Sequence, residues 1–176
     1  MTKLKNLQTD VTDGQRFIPV RFHHETKTET YDTLQIGHTE AEALQAALQF
    51  DRGNRDWAEW NPLRRIARVN LRVRRRINVA DLVGADTSRL HITMCAQTPV
   101  PVVNEPRYIP IRLDEETGRE FLDTEVVAES ALEAWWATGE QDEDLLDWTA
   151  WNPLLCIAEV ELREVGRTLW RGGRRQ

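Results

Sequence analysis

Residues 56–72 read DWAEWNPLRRIARVNLR, and residues 147–163 read DWTAWNPLLCIAEVELR. The frame returns 91 residues on while its surface is exchanged: arginines of the first stretch become leucine, cysteine and glutamate in the second. The match extends upstream without a gap. Residues 16–72 align with 107–163, RFIPVRF lies on RYIPIRL, and 24 of 57 positions are identical. Agreement of that extent identifies a tandem duplication, and the unit it repeats decides the fold.

The order of elements is readable in each copy. Ile18, Val20 and Phe22, and likewise Ile109, Ile111 and Leu113, alternate onto one face of a strand. Pro19 and Pro110 mark that strand as an edge or a late start. A second extended segment follows near residues 31–37 and 121–128. A two-residue turn between the two segments would set Arg21 opposite Asp32 and Arg112 opposite Asp123 as ion pairs. Gly118 suits a tight turn, but Lys27 holds the matching position in the first copy. TEAE (39–42) and SALE (130–133) are capping boxes, which predict helices over 40–50 and 131–139. Asp56 and Asp147 are placed to cap one further turn carrying Trp57 and Trp60, or Trp148 and Trp151, which the Asn-Pro step ends. The tryptophans are expected to fill the space between helix and sheet as framework, not to form a stacking platform.

The closing strand of the first copy alternates Ala67, Val69, Leu71 and Val73 with Arg68, Asn70, Arg72 and Arg74; the second alternates Ala158, Val160 and Leu162 with Glu159, Glu161 and Arg163. The unit is therefore β-β-α-β and the fold class α+β. Two units are expected to pack with pseudo-two-fold symmetry as an internal pseudo-dimer, sharing one sheet or core, because unpaired edge strands seek partners. Arg68 against Glu159 and Asn70 against Glu161 would suit that juxtaposition. The chain divides into a flexible N-terminal segment (1–15), a basic first repeat (16–76), a linker (77–106), an acidic second repeat (107–167) and a basic tail (168–176). Within the linker, RLHITM (89–94) alternates like a short strand and TPVPVVNEP (98–106) is extended.

Cys95 and Cys156 lie far apart with no CxxC or Cys/His spacing, which argues against a disulfide framework or a zinc site. The first fifteen residues lack the apolar stretch of a secretory signal and no run approaches membrane-spanning length, so a cytoplasmic protein with no membrane partner is expected. With 23 basic and 29 acidic residues, the net charge of −6 disfavours a general nucleic-acid binder. That average conceals a split. Residues 16–76 hold 12 basic against 8 acidic side chains, a net of +4, whereas residues 107–167 hold 5 against 16, a net of −11.

The exchanged positions carry the functional reading. Asn54 and Arg55 become Leu145 and Leu146, Arg64 and Arg65 become Leu155 and Cys156, and Gln45 becomes Trp136. Trp136 points about 100° from the core stripe that holds Trp135, since each residue of an α-helix turns by that angle. An apolar anchor of Trp136, Leu146 and Leu155, ringed by Glu140, Asp142, Glu143 and Asp144, suits a basic, nucleic-acid-handling protein partner. The linker or the first repeat is the other available cover for that surface. A non-catalytic adaptor or inhibitor is the expectation. The alternative is nucleic-acid binding through Arg64, Arg65, Arg68, Arg72, Arg74 and Arg76, whose planar guanidinium groups read phosphate well. Catalysis is not expected, because no phosphate-binding, dinucleotide, nucleophile-elbow or zinc-protease pattern is present. His23, His24 and His38 are the only clustered metal candidates, and their counterparts Asp114, Glu115 and Glu129 favour plain solvent exposure. Cys156 has no histidine near it in sequence to act as base. No cofactor is expected.

Overall fold

Leu71 and Leu162 face each other at the middle of a sheet that joins both halves of the chain. The computed structural model describes residues 9–84, 100–102, 105–167, 170–171 and 174–175. In chain order these form β1 (Thr9–Asp10), β2 (Gly14–His23), β3 (Thr28–Tyr31), α1 (Glu40–Gly53), α2 (Arg55–Trp60) and β4 (Leu63–Ile77). There follow β5 (Val100–Pro101), β6 (Arg107–Asp114), β7 (Arg119–Leu122), α3 (Ala131–Asp144), α4 (Leu146–Trp151) and β8 (Leu154–Arg167). The fold is mixed α+β: an eight-stranded antiparallel sheet ordered β1-β7-β6-β8-β4-β2-β3-β5, with four α-helices among the described residues. In the tail, β9 (Trp170–Arg171) pairs with β10 (Arg174–Arg175) as a separate ribbon. The strand expected over 89–94 lies outside the described residues.

Local chemistry starts both long helices where the sequence marks them. Thr39 Oγ1 accepts the Glu42 amide N–H at 3.1 Å, and Ser130 Oγ accepts that of Glu133 at 3.2 Å. Both helices run further than expected, to Gly53 and Asp144, since nothing before those points breaks a helix. Asp56 and Asp147 are not caps. Asn54 and Leu145 occupy the cap positions, because α1 and α3 pass into the next helix through a single residue. The turn after β2 holds four residues, not two. Lys27 takes the left-handed conformation at φ 56°, matching Gly118 at φ 69°, and each donates its amide N–H back to the carbonyl four residues earlier.

The expected continuous sheet is present, in a register that differs from the one read from charge. Asn70 faces Arg163 and Arg72 faces Glu161, and beyond a shift between Val73 and Arg75 it is Arg75 that faces Glu159. The mismatch is set by the seam itself, centred where Leu71 faces Leu162, and a bulge at Arg74 then moves the later pairings by one residue more. Residues 9–10 and 14–15, expected as flexible lead-in, are strand. They take part in an exchange: β1 leaves its own half to pair with β7, Thr9 facing Leu122, while β5 pairs with β3, Val100 facing Tyr31.

The sheet is curled. β7 and β3 stand five strands apart, about 24 Å on a flat sheet at roughly 4.8 Å per strand, yet Thr33 Oγ1 beyond β3 donates to the Thr124 carbonyl beyond β7 at 3.0 Å. The core fills the curl. Ile18, Val20, Ala67, Val69 and Leu71 meet Ile109, Ile111, Ala158, Val160 and Leu162 in one cluster. The alternating apolar residues of the closing strands are thus buried as expected, but away from the helices. On the opposite face α1 packs on β2 and β4, and α3 on β6 and β8.

Candidate protein-binding surface

The largest side chains buried without exposure are two arginines, Arg21 and Arg112. Each lies between the sheet and the short helix that follows the long one. Arg112 Nε donates to Asp123 Oδ2 at 2.8 Å, Nη2 to Asp142 Oδ1 at 2.7 Å and to Gln141 Oε1 at 3.0 Å, and Nη1 to the Asn152 carbonyl at 3.0 Å. Its guanidinium carbon stands 4.8 Å from the Trp148 ring centroid, in cation–π range. Arg21 repeats this with Asp32 at 2.8 Å, the Asn61 carbonyl at 3.1 Å and Trp57 at 4.9 Å. Its Nη2 comes within 2.8 Å of Asp51 Oδ1, an ionic contact that is off the hydrogen-bond line. Burial lifts the Asp32 carboxyl above its ordinary range, and the charge of Arg21 pulls it back.

This arrangement explains the DWxxWNP motif. Its first tryptophan lids the guanidinium and its asparagine supplies a carbonyl, while the asparagine side chain donates back into the short helix at Trp57 or Trp148. The Arg21–Asp32 and Arg112–Asp123 pairs form as expected, through Nε reaching past the direct cross-strand partner, Thr30 or Phe121. The tryptophans divide their work, which the sequence did not disclose. Trp57 and Trp148 are half-buried, but Trp60 and Trp151 are 68 % and 63 % exposed, so the outer pair does not fill space between helix and sheet. A helix of six residues lying over one guanidinium has only one face to bury.

Three of the seven arginines of β4 meet carboxylates of the second half. Arg65 is bound by Glu164 and by Glu29, Arg75 by Glu159 at 3.2 Å and Arg76 by Glu120 at 2.7 Å. Arg68 donates to the Val165 carbonyl at 3.3 Å. Arg64, Arg72 and Arg74 are exposed, Arg64 over the Phe22 ring at 5.1 Å. Part of the charge split between the halves is thus used between them.

The residues of the expected anchor separate into three groups. Trp136 is half-buried and spends its indole N–H on Glu140 Oε1 at 3.1 Å. Asp142 is committed to Arg112 and also accepts from Thr149 at 3.1 Å. Its match to Asp51 across the 91-residue offset is the signal that it belongs to the frame. Glu143 and Asp144 are exposed, as are Leu146 at 72 % and Leu155 at 39 %. Leu155 lies at the bulge where β8 slips against β6, the place Arg64 holds in β4. Trp151, read as framework, joins this exposed group. The start of the linker packs elsewhere: Ile77 and Leu82 join the cluster of Val126, Ala134 and Ile157 with Trp135 and Leu154, which holds neither Trp136, Leu146 nor Leu155.

Other candidates have structural partners. His23 Nδ1 lies 3.2 Å from Thr26 Oγ1, the His24 ring stands edge-on between Phe22 and Trp60, and the His38 amide N–H donates to Glu42 Oε2. Among the described residues no three His, Cys, Asp or Glu side chains are grouped to hold a metal ion. Cys156 is buried, which pushes its thiol up against the opposing charge of Arg76. Among the described residues no helix is long and apolar enough to cross a membrane. Compared with models of protein families, with curated proteins and with solved structures, the chain matches none.

Proposed function

We propose that the chain is a non-catalytic protein-binding module, an adaptor or inhibitor, that engages a basic partner through the outer surface of its second half. Leu146, Trp151 and Leu155 carry this reading, remaining 72 %, 63 % and 39 % exposed in the half that is richest in carboxylates. Large exposed apolar side chains beside charge suit an interface whose centre is apolar and whose rim selects the partner. The frame behind it is a tandem duplication about a pseudo-two-fold axis through the Leu71–Leu162 pair. Its support is the register, in which Asn70 facing Arg163 has its counterpart in Arg72 facing Glu161. The reciprocal pairing of β1 with β7 and β5 with β3 also supports it.

The alternative, nucleic-acid binding, draws on Arg64, Arg68, Arg72 and Arg74, all exposed. It is weakened by the carboxylates already held on Arg65 and Arg76. Affinity capture with three forms of the chain separates the readings: wild type, Leu146→Ala with Trp151→Ala, and Glu143→Gln with Asp144→Asn. Asp142 is left intact because it holds Arg112. Basic proteins retained by wild type and lost from both variants are the expected result. The same proteins returning with all three forms would end this reading, and nuclease-sensitive capture lost in Arg72→Ala with Arg74→Ala would install the alternative.

A further inference from the structure

Between Glu120 and Leu162 the chain contains no lysine, arginine or histidine. The outer surface of α3 and α4 therefore carries charge of one sign. Glu143, Asp144 and Asp147 flank Leu146 in sequence and are exposed. Glu115 and Glu116 are exposed on the turn that meets α4, where the Glu115 amide N–H donates to the Trp151 carbonyl at 3.0 Å. Arg119 is the cation of that turn, and its cross-strand partner is Asp114. Leu146, Trp151 and Leu155 leave an apolar centre open among these carboxylates. The tail has the opposite composition. Residues 168–176, TLWRGGRRQ, hold Leu169, Trp170 and three arginines with no acidic residue.

We propose that the arginine-rich tail of one molecule docks on the α3–α4 surface of a second copy of this chain, with Trp170 against the apolar centre. This deepens the proposed function and rests on it. Arginine suits the role because its planar fork pairs with carboxylates, and complementary charge selects the partner. The tail starts at the wrong end of its own molecule to reach that surface. β8 runs antiparallel to β4, so Arg167 lies beside Ala67 in the first half, and β9 lies against β4. From Leu155 to Arg167 the strand covers about 40 Å at roughly 3.3 Å per residue. The chain from Arg167 to Arg175 reaches at most about 29 Å when fully extended, and the pairing of Arg174 with Arg171 shortens that. Carboxylates on the tail's own side compete poorly. Asp56 and Glu59 of α2 stand with Arg52, Arg55 and Arg64, all exposed, and Glu29 and Glu164 are held by Arg65. Home is thus mixed in charge, whereas the second half offers carboxylates with an apolar centre. A contact between a tail and a different surface is heterologous, and it propagates head to tail because every molecule offers one of each.

Two measurements test the proposal. In sedimentation velocity the mass-average of wild type should rise above 20.4 kDa with concentration. It should fall back as salt goes from about 0.05 to about 0.5 M, since exposed charges are screened over that range. A chain ending at Arg167 should stay at monomer mass, and so should Leu146→Ala with Trp151→Ala. Mixed in equal amounts, these two should give a one-to-one dimer and nothing larger, because the mixture joins one intact tail to one intact surface and cannot extend. Trp170→Ala should weaken self-association by roughly thirty-fold, as the loss of a central tryptophan does. Fluorescence anisotropy of the labelled peptide TLWRGGRRQ with the chain ending at Arg167 isolates the contact. The peptide should bind, lose affinity by roughly thirty-fold or more when Leu146→Ala and Trp151→Ala are introduced, and bind Asp56→Asn with Glu59→Gln unchanged. Wild type at monomer mass throughout would overturn the proposal. Peptide binding lost in the Asp56 and Glu59 variant would do the same, by putting the tail on its own half. A monomeric chain that binds a single-stranded oligonucleotide through its tail would overturn it in favour of nucleic acid. If the chain is monomeric but a basic protein is still captured through Leu146 and Trp151, the proposed function stands and only the self-association fails.

Discussion

Replacing Arg112 by Met tests the physical reasoning behind the frame most sharply. The guanidinium is fully buried, and its removal strands Asp123, whose side chain is 4 % exposed, together with the Asn152 carbonyl. Breaking a buried pair on one side costs about 3–5 kcal/mol, because the other charge stays in a poorly solvated site. Asp142, at 27 % exposure, relaxes toward water and adds little. Against a total stability of about 5–15 kcal/mol, a loss near 4 kcal/mol leaves a marginal protein. For a chain of this size it lowers Tm by roughly 8–16 °C. Urea unfolding of Arg112→Met, Asp123→Asn and the double variant measures it. The double variant should recover at least about 2 kcal/mol relative to the sum of the singles, since neither then leaves a bare charge. Arg112→Lys should not rescue, because an ammonium has no fork to divide among Asp123, Asp142 and Asn152. A single variant within about 1 kcal/mol of wild type, or strictly additive singles, would refute the reasoning.

Three further outcomes follow from the same structure. Trp148→Leu should cost about 2–3 kcal/mol in urea unfolding through lost packing and cation–π contact, while Trp151→Ala should stay within about 0.5 kcal/mol of wild type. Lys27→Gly should raise stability by about 0.5–1 kcal/mol, relieving a lysine held at φ 56°, and Gly118→Lys should lower it by a similar amount although space is open there. Tyr31 is pushed up from 10.0 to about 12, chiefly by burial and then by Glu164. A raised folded value means its contribution is intact below pH 10 and lost as pH climbs through about 12. The urea midpoint should therefore fall across that window, with a shallower fall in Tyr31→Phe.

Much of the frame was legible because local chemistry and periodicity write it directly. TEAE and SALE start the long helices, and alternation in the closing strands picks out Ala67, Val69 and Leu71 as buried. Alternation says which residues share a face, but not what covers that face. Hence the core could not be placed inside the curl rather than under the helices. Charge does not give the register for a related reason: the seam centred on Leu71 and Leu162 sets Glu161 against Arg72, and the bulge at Arg74 moves Glu159 one residue further, from Arg74 to Arg75. The exchange of β1 and β5 rests on two-residue strands, too short to show a period. In the candidate site, Leu146 and Leu155 were readable as substitutions of Arg55 and Arg64. Asp142 does not show its role in the sequence, because a carboxylate on a helix looks solvated until a buried cation is placed beside it. Repetition of Trp60 as Trp151 suggests packing, whereas the short helix buries only its inner tryptophan.

The two halves should behave as one folding unit, because they share a sheet and pair Arg65, Arg75 and Arg76 of β4 with Glu164, Glu159 and Glu120 of the second half. Expressing residues 1–90 and 91–176 as separate chains tests it directly. Each half alone would expose one side of the β4–β8 seam, lose the partner of its swapped strand and take Arg76 from Glu120. Circular dichroism with urea titration should find neither half cooperatively folded alone, and a one-to-one mixture should regain the sheet and a single unfolding transition. Two halves that each unfold cooperatively as monomers, with midpoints near that of the whole chain, would contradict the account.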